Sequence, residues 1–186
     1  MGSDDMRYYE TFYGINTDDW KETFGSFVDH HKLLVKEYLS DGCLCQDASV
    51  ASLTTNEFLY PRHIKKVYFI EGDITGHITL VASSCSTTVP SYRVTVCKVN
   101  GDSGVKTELF STEWVEVNTE LGWDAALSVG DERVYPFWIN AWTKAKLSDK
   151  ERIYVKVETS CSLCCDLWHS NDSTWEDLKV ILPLKL

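Results

Sequence analysis

The chain has 186 residues, 44% of them hydrophobic and 25% charged, with a formal net charge of −10. That length suits one domain with a real core, and that composition excludes a disordered chain. The acidic balance, with no long Lys/Arg stripe, argues against nucleic acid, and no apolar run is long enough to predict a membrane helix.

The N-terminus "MGSDDMRYYE" carries acids where a signal peptide needs a basic region, so secretion by that route is not expected. Residues 17–39 then predict an amphipathic α-helix. Trp20, Phe24, Phe27, Val28, Leu34, Val35 and Tyr38 fall at steps of three, four and seven. Asn16 or Thr17 offers a cap, and Ser40, Asp41 and Gly42 a stop, while Gly25 weakens the interior by about 1 kcal/mol.

Strand-like runs follow. "HIKKVYFIEGDI" and "GHITLVASS" read as two strands joined around Gly72–Gly76. "SYRVTVCKVN" sets Tyr92, Val94 and Val96 opposite Arg93, Thr95 and Cys97, and the Asn-Gly of "NGDSG" signals a hairpin. "ERVYPFWINAWTKA" is an aromatic strand in which Pro136 forbids an unbroken central ladder. "ERIYVKVETS" turns Ile153, Val155 and Val157 inward, and "WEDLKVILPLKL" does so with Leu178, Val180 and Leu182. This spacing predicts a mainly β fold: an antiparallel two-sheet β-sandwich of jelly-roll type over 50–186, preceded by an N-terminal arm, 1–42, that holds the helix. The stripe residues Trp20, Phe24, Phe27 and Tyr38 are the candidate assembly contacts.

The chemistry-bearing residues are spread thinly. Of seven cysteines, Cys43, Cys45, Cys161 and Cys164 could supply four thiolates to a zinc, but C-x-C beside C-x-x-C matches no zinc module. Partly buried thiols, or a disulfide between the two clusters, and no metal are therefore expected. His30 and His31 are adjacent, and His63, His77 and His169 are isolated, so none builds a catalytic metal site. No G-x-S-x-G and no phosphate-binding loop occurs, which predicts no enzyme and no cofactor. Trp168, Asn171, Asp172 and Trp175 carry the aromatic and amide groups that grip a sugar, but "HSNDST" has the composition of a turn between the last two strands, and the turn is the favoured reading.

One resemblance extends these readings. Glu151, Arg152 and Ile153, then His169, Asn171, Asp172 and Ser173, then Asp177, Leu178, Lys179 and Pro183 follow a pattern similar to the last two strands of small β-sandwich proteins. Those proteins are encoded among the virion genes of tailed bacterial and archaeal viruses. Tyr60, Pro61, Gly76, Ile78, Thr79 and Leu80 resemble their opening hairpin. The resemblance implies a non-enzymatic structural or accessory virion protein, a capsid decoration or tail component made in the host cytoplasm. It would contact other virion proteins through its helix or sheet edges, as a homo-oligomer, with a trimer first in line. A glycan- or receptor-binding β-sandwich is the alternative.

Overall fold

The computed structural model of the chain describes residues 7–16, 22–24, 27–30, 32–36, 55–82, 91–116, 132–160, 167–168 and 178–186. Among the described residues the fold is mainly β. In chain order the strands are β1 (Arg7–Asn16), β2 (Glu22–Phe24), β3 (Phe27–His30), β4 (Lys32–Val35), β5 (Thr55–Leu59) and β6 (Tyr68–Ala82). There follow β7 (Ser91–Asn100), β8 (Lys106–Ser111), β9 (Val115–Glu116), β10 (Glu132–Leu147), β11 (Glu151–Ser160), β12 (Leu167–Trp168) and β13 (Leu178–Lys185).

The main sheet runs β10-β6-β13-β1-β4-β5-β11-β7-β8, with β12 on β6 and β9 on β7, while β2 and β3 pair by themselves. Neighbours are antiparallel except β4 and β5, which meet in parallel at Leu33 and Leu59 alone. That thin join divides the sheet into two halves. Ile74, Ile78, Phe137 and Val180 of the first share one buried cluster with Val94, Val96, Ile153 and Val155 of the second. Burial of these period-two stripes against each other is what closes the fold.

The two ends of the path are also tied. The Tyr92 and Tyr135 rings lie 5.8 Å apart, and the Tyr92 hydroxyl donates to the Pro136 carbonyl at 2.8 Å. Pro136 sits on β10, the outermost strand of its half. Its carbonyl therefore faces Tyr92 rather than a neighbouring strand, and its missing N–H costs no ladder bond.

The expected hairpin at Asn100-Gly101 is present. Asn100 Oδ1 accepts from the Asp102 and Ser103 amides at 3.0 and 2.9 Å, and Gly104 closes the turn at φ 71°. The inward sets read from β7, β11 and β13 are buried as expected.

Two expectations are corrected. The helix over 17–39 is not seen: its described residues form β2, β3 and β4. Phe24 pairs with Phe27, so strand pairing decides an apolar period that helix and short strands share. Leu34, read as part of the helical stripe, is buried in β4 opposite Gly14.

Nor do Gly72 and Gly76 join two strands, since β6 runs unbroken from Tyr68 to Ala82. Gly76 is required by close approach: a Cβ there would lie 1.9 Å from the Lys179 carbonyl oxygen and 2.6 Å from the Phe137 ring. Gly72, at φ 126°, absorbs a local irregularity.

Candidate functional site

Alternation sorts the side chains of β10. Tyr135, Phe137, Ile139 and Ala141 are buried, while Pro136, Trp138 and Asn140 face out. Register carries the outward set across the sheet, because directly opposed residues share a face. Pro136 lies opposite His77, Trp138 opposite Thr75, and Asn140 opposite Asp73. His77 and Thr75 continue to Lys179 and Ile181 of β13, and these to Tyr13 and Thr11 of β1, with Tyr9 opposite Pro183. The outer face of the first half thus sets Trp138, Ile181, Tyr13 and Tyr9 among Thr75, Thr11, Asn140, Asp73, His77 and Lys179. Trp138 is 57% exposed and Tyr9 60%.

A bulge sharpens the feature. Ala141 opposes Gly72 and Ala145 opposes Ile70, so Trp142, Thr143 and Lys144 share the space opposite Glu71. Asn140 Oδ1 accepts the Trp142 backbone N–H at 3.1 Å, and Gly72 supplies the matching distortion on β6. Trp142 is left 79% exposed. An aromatic ring kept in water forgoes about 1.5–3 kcal/mol of burial, so neither tryptophan is placed there by the fold's own packing.

The outer face of the second half is built differently. Arg93 Nε and Nη2 both donate to Glu158 Oε2, at 2.9 and 2.7 Å. Lys156 lies 2.5 Å from Glu108 and 3.3 Å from Glu158. Lys106 Nζ reaches Glu57 and the Tyr154 hydroxyl, each at 2.7 Å.

Under these pairs Leu59, Cys97, Val99 and Tyr154 form a second buried cluster. Burial holds the Tyr154 phenol above its ordinary value, with Glu57 adding to the effect. Burial likewise pushes the Cys97 thiol up to about 12, with the Glu108 carboxylate working the same way. The hydrogen bond from Lys156 holds the Glu108 carboxyl below the usual range. Burial opposes the charge of Lys156, but Glu108 and Glu158 outweigh it and raise its pKa. Arg93, Lys106 and Lys156 are thus each paired with a carboxylate.

The residues singled out from sequence converge only in part. Trp168 lies in β12, where its backbone pairs with Val81, but Asn171, Asp172 and Trp175 lie outside the described residues. So do Cys43, Cys45, Cys161, Cys164, Trp20 and Tyr38. Phe24 and Phe27 are opposed strand residues of β2 and β3, not members of a helical stripe. His63 accepts from Arg152 Nη2 at 3.1 Å. No group of three His, Cys, Asp or Glu side chains able to hold a metal occurs among the described residues. Trp138 and Trp142 were missed as a site. The alternation of "VYPFWINAW" carried the signal for both, and the bulge adds to the exposure of Trp142.

No protein-family model matches the chain, and no curated protein does. Solved structures do share its fold. A CocE/NonD family hydrolase from Staphylococcus aureus is similar at a TM-score of 0.55 with 10% identity, over 97% of this chain and 37% of that one. An aminopeptidase from a marine sediment Thaumarchaeota archaeon aligns at a TM-score of 0.47 and 10% identity, over 97% and 33%. An α-amino acid ester hydrolase aligns at 0.47 and 13%, over 95% and 30%. The chain therefore spans about a third of the length of the hydrolases it matches.

The likeness to the S. aureus hydrolase corrects two expectations. The chain is not read further as a non-enzymatic virion part, nor under the glycan- or receptor-binding alternative set beside it, because the fold it shares is found in a hydrolase. The expectation of no enzyme falls with it. Absence of G-x-S-x-G was a weak ground, since a chain covering a third of a hydrolase need not hold the nucleophile.

Proposed function

We propose that this chain is a two-layer β-sandwich of jelly-roll type that works as a module of a hydrolase, and that the outer aromatic face of β10, β6, β13 and β1 is where it meets the rest of that machinery. The fold likeness, which takes in nearly all of this chain and a third of the S. aureus hydrolase, supports the modular part of the reading. The observation that carries the rest is the lifting of Trp138 and Trp142 into solvent on a face that also exposes Tyr9. Tryptophan and tyrosine are enriched at interface centres.

The test is capture of activity rather than of protein. Tagged chain and its Trp138→Ala/Trp142→Ala variant are incubated with extract of the encoding organism, and the retained material is assayed on aryl esters and aminoacyl amides. Hydrolysis retained by the wild type and lost with the double variant, at equal melting temperature, is the expected result. Equal retention by both, or none by either, overturns the reading.

A further inference from the structure

The molecule repeats one way of holding a cation. Arg93 stacks on Trp114, 5.2 Å from the ring centre, while its guanidinium is paired with Glu158. Lys106 sits 4.6 Å from the Tyr154 ring and 2.7 Å from Glu57. Lys36 lies 5.8 Å from the Phe12 and Tyr60 rings and 2.7 Å from Glu10. In each case an aromatic face and a carboxylate share one positive group, because ring quadrupole and anion both attract it.

The same two ingredients recur on the aromatic face without the third. Asp73 is exposed and opposes Asn140, which places it diagonal to Trp138 and on the near side of the bulge that carries Trp142. Among the described residues, no cation lies on either indole or within ion-pair distance of Asp73. Neighbouring cations are engaged elsewhere. Lys144 lies 3.8 Å from the Phe69 ring, and Lys185 lies 3.8 Å from Glu71. The Arg7 guanidinium is directed at Gly72.

Resting on the reading of this face as a contact surface, we infer that Trp138, Trp142 and Asp73 form the seat for an arginine side chain presented by the partner protein. Arginine fits better than lysine because a planar guanidinium stacks on indole and pairs with a carboxylate at once, as Arg93 does within this chain. The net charge of −10 draws a basic partner in from a distance. Asn140, whose carbonyl oxygen is held by the Trp142 amide, fixes the turn that aims the second ring.

The experiment follows the Trp138 and Trp142 indole N–H resonances of the full chain during titration with tetra-arginine amide, tetra-lysine amide, tetra-citrulline amide and cellohexaose. The arginine peptide is expected to shift both resonances saturably, lysine several-fold more weakly, and citrulline and the glycan not at all. Asp73→Asn is expected to weaken the arginine peptide about tenfold, and Trp142→Ala to weaken it by a smaller factor, both with backbone spectra unchanged elsewhere. Citrulline binding as well as arginine, undiminished binding by Asp73→Asn, or a response to cellohexaose alone would overturn the inference. Retention of hydrolytic activity through Trp138 and Trp142 with no response to the arginine peptide would sink this inference and leave the contact face standing.

Discussion

The two outer faces of one sheet solve the problem of meeting water in opposite ways. On the second half, Arg93, Lys106 and Lys156 are paired with Glu158, Glu57 and Glu108, above a buried layer that includes Tyr154 and Cys97. On the first half, Trp138, Trp142 and Tyr9 stand in solvent. Each face has an exposed tryptophan, but Trp114 already holds Arg93. A face that satisfies its own groups has no call on a partner, whereas one that leaves rings and a carboxylate open does.

The largest effect expected from this contrast is in stability. Tyr154→Ala should cost about 3–5 kcal/mol in urea unfolding, as for a core aromatic, although Tyr154 belongs to an outer face. Trp142→Ala should stay within about 0.5 kcal/mol. A comparable loss for Trp142→Ala would mean that its ring is part of the chain's own packing.

Next comes Glu158→Gln, which strips the shared acceptor from Arg93 and Lys156. A loss of about 1–2 kcal/mol is expected, shrinking as salt is raised. A loss independent of salt would show that packing rather than charge is being measured.

Cys97 reports on the layer beneath. Its thiol, raised to about 12 by burial, should resist iodoacetamide at pH 8 until the chain unfolds, by peptide mass mapping. Being raised, it contributes stability below the ordinary thiol range near 8.5, and that contribution is lost as pH climbs toward the folded value. Rapid alkylation of native protein would show that the charged face is not closed.

The smallest effect concerns Glu108. Its carboxyl is held low by Lys156, so its contribution is complete above the unfolded carboxylate value, about 4.3, and fades as pH falls through the lower folded value. Glu108→Gln should flatten the acid limb of a melting-temperature profile slightly. An unchanged profile would show that the pair with Lys156 contributes nothing in solution.

What the sequence made legible was alternation. The inward sets of β7, β11 and β13 follow from period two alone, and the 100–104 turn follows from Asn-Gly. The N-terminal segment misled because "WKETFGSFVDHHKLLV" satisfies a helical step that short strands can share; only the partners of Leu34 and Phe24 decide between them. Gly72 and Gly76 looked like a turn because glycine's role in close backbone approach depends on Lys179 and Phe137, which are distant in sequence. The aromatic face was half legible. Trp138 and Trp142 follow from their buried neighbours, but Asp73 depends on a register that no local pattern sets.

Hydroxyl-radical footprinting of the chain, free and bound to the hydrolytic material it retains, tests the contact face most directly, with Trp114 as internal reference. The account expects Trp138 and Trp142 to oxidise rapidly in the free chain and to be protected several-fold in the complex, with Trp114 unchanged. Equal oxidation of Trp138 and Trp142 in both states, or protection of Trp114 instead, would contradict it.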